Sequence, residues 1–208
     1  MERNNGSHSK QRFDEWAPSY EQGLLWRMFF LPVYRQLQRV LPAPKGMHIL
    51  DIGCGTGALA RNLNESGARV TGVDESKGMI EEARRRSGDR EGLSFLMAGA
   101  ESLPLEDACS DLVVTSVAFH HFQNAGKALK EMRRVLKPGS AMYICDLCGE
   151  GLPGRISLCY GRIKEIDHHY YSKQDLATMM KDNGLMIQEV TMLRKIPPVM
   201  LIVGFKPE

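Results

Sequence analysis

The sequence has no apolar run long enough to cross a bilayer. Its first residues, Met1-Glu2-Arg3-Asn4-Asn5, lack the apolar core of an export signal. Five cysteines in 208 residues are too few and too scattered for a disulfide framework. Together these absences predict a reducing, cytoplasmic setting. Lysine and arginine exceed aspartate and glutamate by only two, so there is no electrostatic footing for nucleic acid. Neither a repeat nor a low-complexity stretch is present. With 43% hydrophobic and 25% charged residues, the chain has the composition of one globular domain with a substantial core. The cluster Arg84-Arg85-Arg86 reads as dipole compensation on the solvated end of a helix.

The densest signal is Ile49-Leu50-Asp51-Ile52-Gly53-Cys54-Gly55-Thr56-Gly57. An apolar strand end runs into three glycines and then into a helical period. Glycines let a backbone approach a ligand where a Cβ would collide, and amides at a helix start favour polar or anionic groups. Gly53, Gly55 and Ala58, followed by Asp74, also satisfy the dinucleotide fingerprint, with its acid about 20 residues on. A nicotinamide-dependent reductase is therefore one reading. Asp51 argues against it: a carboxylate two positions before the first glycine would face a pyrophosphate, whereas it suits a ligand carrying an ammonium and a sulfonium.

Short apolar, β-branched runs alternate with helical periods. They predict strands over 47–52, 69–74, 93–97, 110–115 and 140–146, and helices over 57–66, 76–87 and 123–136. A last helix over 173–183 and strands over 185–192 and 198–205 follow. The link at Pro197-Pro198 is too short for a crossover, so the final strands must pair antiparallel. Residues 1–11 read as disordered. Residues 12–44 read as a helical lid rich in large apolar side chains, which Pro32 should kink or divide.

The glycine run resembles motif I of the class I S-adenosylmethionine-dependent methyltransferases. Further pieces are similar to the same family, in its order: Val70-Thr71-Gly72-Val73-Asp74, Ala98-Gly99-Ala100-Glu101-Ser102-Leu103-Pro104-Leu105, Asp111-Leu112-Val113-Val114-Thr115-Ser116 and Glu131-Met132-Arg133-Arg134-Val135-Leu136-Lys137-Pro138-Gly139. Within the family the chain looks most like small-molecule enzymes of the quinone-biosynthesis type. The resemblance implies an α/β fold: a doubly wound, mostly parallel seven-stranded sheet, Rossmann-like, with an antiparallel C-terminal strand, spanning 1–208 as one methyltransferase domain. It implies S-adenosylmethionine as cofactor, S-adenosylhomocysteine as product, and a small, partly apolar methyl acceptor.

Site residues follow from the same resemblance. Asp51, Gly53, Cys54 and Gly55 are expected at the methionine end of the cofactor. Asp74, with Glu75 beside it, is expected on the ribose, where an ionised carboxylate accepts two hydroxyl hydrogen bonds. Met79, Ala100 and Glu101 are expected near the adenine, Ser116 by the methionine moiety, and Tyr20 in the lid. Many relatives carry an aspartate where this chain has Gly99, so Glu101 or backbone groups must serve the adenine amine.

His120 and His121 follow the fourth strand, and either could take a proton from a hydroxyl. Cys145, Cys148 and Cys159, with His168 and His169, raise a metal or metalloid site, against which stands the alternation of faces along a strand. Core packing is the plainer role for these thiols, so no metal is expected. Trp16, Trp26, Phe29 and Phe30 either pack the N-terminal helix on the sheet or line an acceptor pocket. Any exposed share would mean an oily acceptor or peripheral contact with a membrane surface. A cofactor-binding scaffold without turnover is the remaining alternative.

Overall fold

The computed structural model describes residues 5–24, 26–150 and 169–208. Its frame is a seven-stranded sheet of order β3-β2-β1-β4-β5-β7-β6. The strands are β1 (His48–Ile52), β2 (Arg69–Asp74), β3 (Leu93–Met97), β4 (Ser110–Ser116), β5 (Leu136–Leu147), β6 (Met186–Lys195) and β7 (Pro198–Phe205). Five strands pair parallel from β3 across to β5, while β7 runs antiparallel to both β5 and β6. The helices are α1 (Asn5–Trp16), α2 (Leu31–Val40), α3 (Ala58–Glu65), α4 (Lys77–Ser87), α5 (Ala125–Val135) and α6 (Lys173–Asp182).

Apolar residues line both faces of the sheet because helices cover both. One core gathers Ile49, Val70, Leu112 and Val114 under α2 and α3, with Leu37 and Leu59. The other gathers Leu50, Ile52, Val113 and Ile144 under α5 and α6, with Leu129 and Met180. Neighbouring strand residues such as Ile49 and Leu50 enter opposite cores, as the period of two requires. Cys145 joins the first core and Cys148 the second, so these two thiols do not converge. Cys159 and His168 lie outside the described residues. No group of three or more His, Cys, Asp or Glu suited to a metal occurs among the described residues.

Pro32 divides the N-terminal stretch: α2 starts at Leu31 with Pro32 in its first turn, and the chain before it forms a 3-10 turn (Ala17–Gln22) and a π-helical turn (Trp26–Phe30). Two expectations need correction. Residues 5–11 are not disordered: α1 starts at Asn5 and packs along α4. β5 begins at Leu136 rather than at 140, because Leu136 already pairs with Ser110 before a register shift in β4.

The arginine cluster at the end of α4 is not simply solvated. Arg84 donates to the carbonyl of Phe95, Arg85 and Arg86 grip Glu82, and Arg86 reaches Glu21 in the N-terminal segment at 3.3 Å. Hydrogen bonds from Arg85 and then Arg86 hold the Glu82 carboxyl down at about 2, against burial, which acts to raise it.

Candidate active site

The carboxyl ends of β1, β2 and β4 and the N-terminal segment enclose a cavity of about 530 Å³. Open parallel sheets place ligands at this edge. The glycine loop forms its floor. Gly53 and Gly55 adopt φ +73° and +53°, where a side chain is strained, and a Cβ on Gly53 would lie 2.4 Å from the Ala118 Cβ. Ala118 reaches that spot because Val117, a β-branched residue, turns at φ +52°, held by its amide on the Cys145 carbonyl. Such a conformation costs energy and persists only where packing enforces it.

Asp74 ties the loop to α4. Its Oδ2 accepts the Gly55 amide at 2.9 Å and its Oδ1 the Ser76 amide at 2.9 Å. Each oxygen keeps acceptor capacity toward the cavity that Asp74 lines. Asp51 lies behind the loop, 2% exposed, and its Oδ2 has no hydrogen-bond partner. Burial, with the Asp74 charge adding to it, pushes its carboxyl up to about 7. A buried carboxylate oxygen without a donor marks a place where a cationic or donor group fits.

Gly53, Gly55, Asp74, Glu75, Met79, Ala100, Glu101, Ser116, Tyr20, His120 and His121 all line the cavity. Asp51 and Cys54 are not among its lining residues: Asp51 lies behind the loop, and the Cys54 amide donates to the Val73 carbonyl while its side chain lies in the core. Glu101 Oε2 sits 3.4 Å from where a Cβ on Gly99 would be, so its carboxylate fills the space the missing side chain leaves.

The N-terminal segment roofs the cavity and is pinned at two points. Asp14 Oδ1 accepts the Ser76 hydroxyl at 2.6 Å and the Gly78 amide at 2.8 Å, completing the cap of α4 from another element. A Cβ on Gly78 would lie 2.7 Å from the Asp14 backbone, so only glycine allows this approach. Glu21 Oε1 accepts from the Thr56 hydroxyl (2.6 Å) and from Arg61 (2.7 Å). Phe13, Trp16, Tyr20, Phe29, Phe30 and Tyr34 give the cavity an aromatic end. Burial raises the Tyr20 and Tyr34 phenols far above their usual range, so both stay neutral.

At the end of β4, His120 is 3% exposed and paired with Asp146 of β5. Its Nδ1 lies 2.6 Å from Asp146 Oδ1, and its amide donates to Asp146 Oδ2 at 2.8 Å. A carboxylate only accepts, so Nδ1 is the donor in this contact. Tyr170 stacks on the ring at 5.4 Å, and His121 meets Phe13 edge-on at 5.0 Å. The pairing separates the two histidines, which sequence alone left equivalent. Asp146, Asp14 and Glu21 were missed. The one available signal for Asp146 was an acid at the end of a predicted strand.

Residues 50–144 match the family model described as "Methyltransferase domain". The chain is 34% identical over 167 residues to the O-methyltransferase resE of Aspergillus sclerotiorum, covering 77% of this chain and 62% of that protein. It is 33% identical over 150 residues to the demethylmenaquinone methyltransferase of Clavibacter sepedonicus, covering 68% and 58%. The chain thus spans about three fifths of the length of these relatives. A solved SAM-dependent methyltransferase from Thermotoga maritima superposes with a TM-score of 0.78 at 26% identity, covering 96% of this chain and all of that one. Neither a nicotinamide enzyme nor a scaffold is among these relatives. The ordered motifs, the matched domain and the sheet order place this chain in the class I S-adenosylmethionine-dependent methyltransferases.

Proposed function

We propose that this chain methylates a hydroxyl oxygen on a small, partly apolar acceptor. The His120–Asp146 pair on the cavity wall carries this reading. The cofactor supplies a methyl group already activated on a sulfonium and leaves as S-adenosylhomocysteine, so the protein's share is alignment and proton removal. Asp74 and Glu75 would hold the ribose, Asp51 the ammonium side of the methionine, Gly53, Gly55 and Ser116 the sulfonium arm, and Met79, Ala100 and Glu101 the adenine. Tyr20, with the rest of the N-terminal segment, would serve as lid. His120 Nε2 takes the proton that the hydroxyl gives up, and Asp146 carries the resulting positive charge of the ring as its counter-ion. His121, held against Phe13, helps shape the acceptor end.

The reading keeps the chain in the cytoplasm as one domain: the four described cysteines are free thiols, and no described helix is long and apolar enough to cross a membrane. An acceptor suited to the aromatic end also partitions into lipid, so the reading includes peripheral contact with a membrane through the N-terminal segment.

Calorimetric titration with S-adenosylhomocysteine, followed by a methyl-transfer screen over phenols and enols, tests it. His120→Ala and Asp146→Asn should lower turnover by roughly 10²–10⁴-fold, while the affinity for S-adenosylhomocysteine stays within a few-fold of wild type. Asp74→Ala should lose that affinity. Wild-type turnover in His120→Ala would remove the proposed base.

A further inference from the structure

The aromatic end of the cavity has an outer surface. Met28 and Leu24 point away from the protein, 62% and 72% exposed, while Phe29, the next residue after Met28, lines the cavity. Ile196, in the β6–β7 turn, is 75% exposed. These residues belong to distant parts of the chain, yet one side chain joins them. Arg194 Nε donates to the Ile196 carbonyl at 2.7 Å and its Nη1 to the Met28 carbonyl at 3.1 Å, with the guanidinium 5.9 Å over the Phe29 ring. Met28 and Ile196 are therefore neighbours on one apolar patch.

The charges next to these residues are of one sign: Arg27 precedes Met28, and Arg194 and Lys195 precede Ile196. Exposed aliphatic side chains flanked by lysine and arginine complement a surface that is apolar beneath and anionic at its head groups. The long basic side chains can lay their stems along the apolar residues and keep their charges at head-group level.

We propose that Leu24, Met28 and Ile196, with Arg27 and Lys195, dock the protein on an anionic phospholipid bilayer. The proposal rests on the membrane contact inferred for the N-terminal segment and names the surface that makes it. Docking there sets the aromatic wall of the cavity one residue away from the lipid.

Co-sedimentation with two kinds of vesicle tests it, one of phosphatidylcholine alone and one with a quarter phosphatidylglycerol. The wild-type chain should bind the anionic vesicles at least tenfold more tightly. The triple variant Leu24→Ser, Met28→Ser, Ile196→Ser and the charge reversal Arg27→Glu, Lys195→Glu should each lose that binding, with affinity for S-adenosylhomocysteine unchanged as proof of folding. Equal or absent binding of the wild-type chain to both vesicles would overturn the proposal. So would variants that bind like wild type, or light scattering that shows a dimer abolished by the triple variant, since the patch would then belong to a second copy. Vesicle binding without any affinity for S-adenosylhomocysteine would instead defeat the methyl-transfer reading and leave the patch standing.

Discussion

Asp51 shows what one side chain can be asked to do. With its carboxyl raised to about 7 by burial and by Asp74, it is neutral in the folded protein at mildly acidic pH and charged above neutrality. The unfolded chain ionises it near the ordinary value of 3.8. A raised folded-state value adds stability that is complete below the unfolded value and is lost as pH rises through the folded one. The ligand-free protein should therefore weaken between about pH 4 and 7 by an amount on the order of a few kcal/mol from this group. Melting curves across that range for wild type and Asp51→Asn check this: the variant should flatten the dependence and melt higher above neutrality. The glycine loop, Asp51 and Asp74 were legible because their roles lie in spacing along a single strand-turn-helix unit. The partnership of His120 with Asp146 was not, since it spans two strands and only pairing between β4 and β5 brings the residues together.

Among the elements, strands and buried helices were legible within a few residues, because burial on two faces writes a strong period into the sequence. The N-terminal segment was not. A polar stretch such as residues 5–11 has little helix-forming pattern, and α1 exists there through its docking on α4. That docking is testable. Gly78→Ala pushes a methyl group against the Asp14 backbone, and Asp14→Ala removes the acceptor of the Gly78 amide and the Ser76 hydroxyl. Both should speed tryptic cleavage at Lys10 and Arg12 several-fold while the rest of the chain resists, and Glu81→Ala on the exposed side of α4 should not. Equal cleavage in all three would mean that the segment is held elsewhere.

For the whole molecule, the seven-stranded sheet with its antiparallel C-terminal strand was implied by the family resemblance rather than derived from the residues, and the strand order came only with the structure. Alternating strands and helices establish a covered parallel sheet, whereas the insertion of β7 between β5 and β6 depends on long-range pairing. Two cores share one sheet, so they should fail together. Leu37→Ala on one face and Leu129→Ala on the other, both fully buried, should each cost about 2–5 kcal/mol in denaturant unfolding, with a single transition and an unchanged slope. Two transitions would mean that the faces unfold separately.

The cap that Asp14 supplies to α4 has a kinetic consequence. The first amides of a helix normally depend on residues beside them in sequence, but the Gly78 amide depends on a carboxylate 64 positions away. Each time the roof lifts, that proton becomes free to exchange with solvent deuterium. The exchange rate at Gly78, set against amides deeper in α4, would count roof openings in the resting protein, and saturating S-adenosylhomocysteine should slow that count.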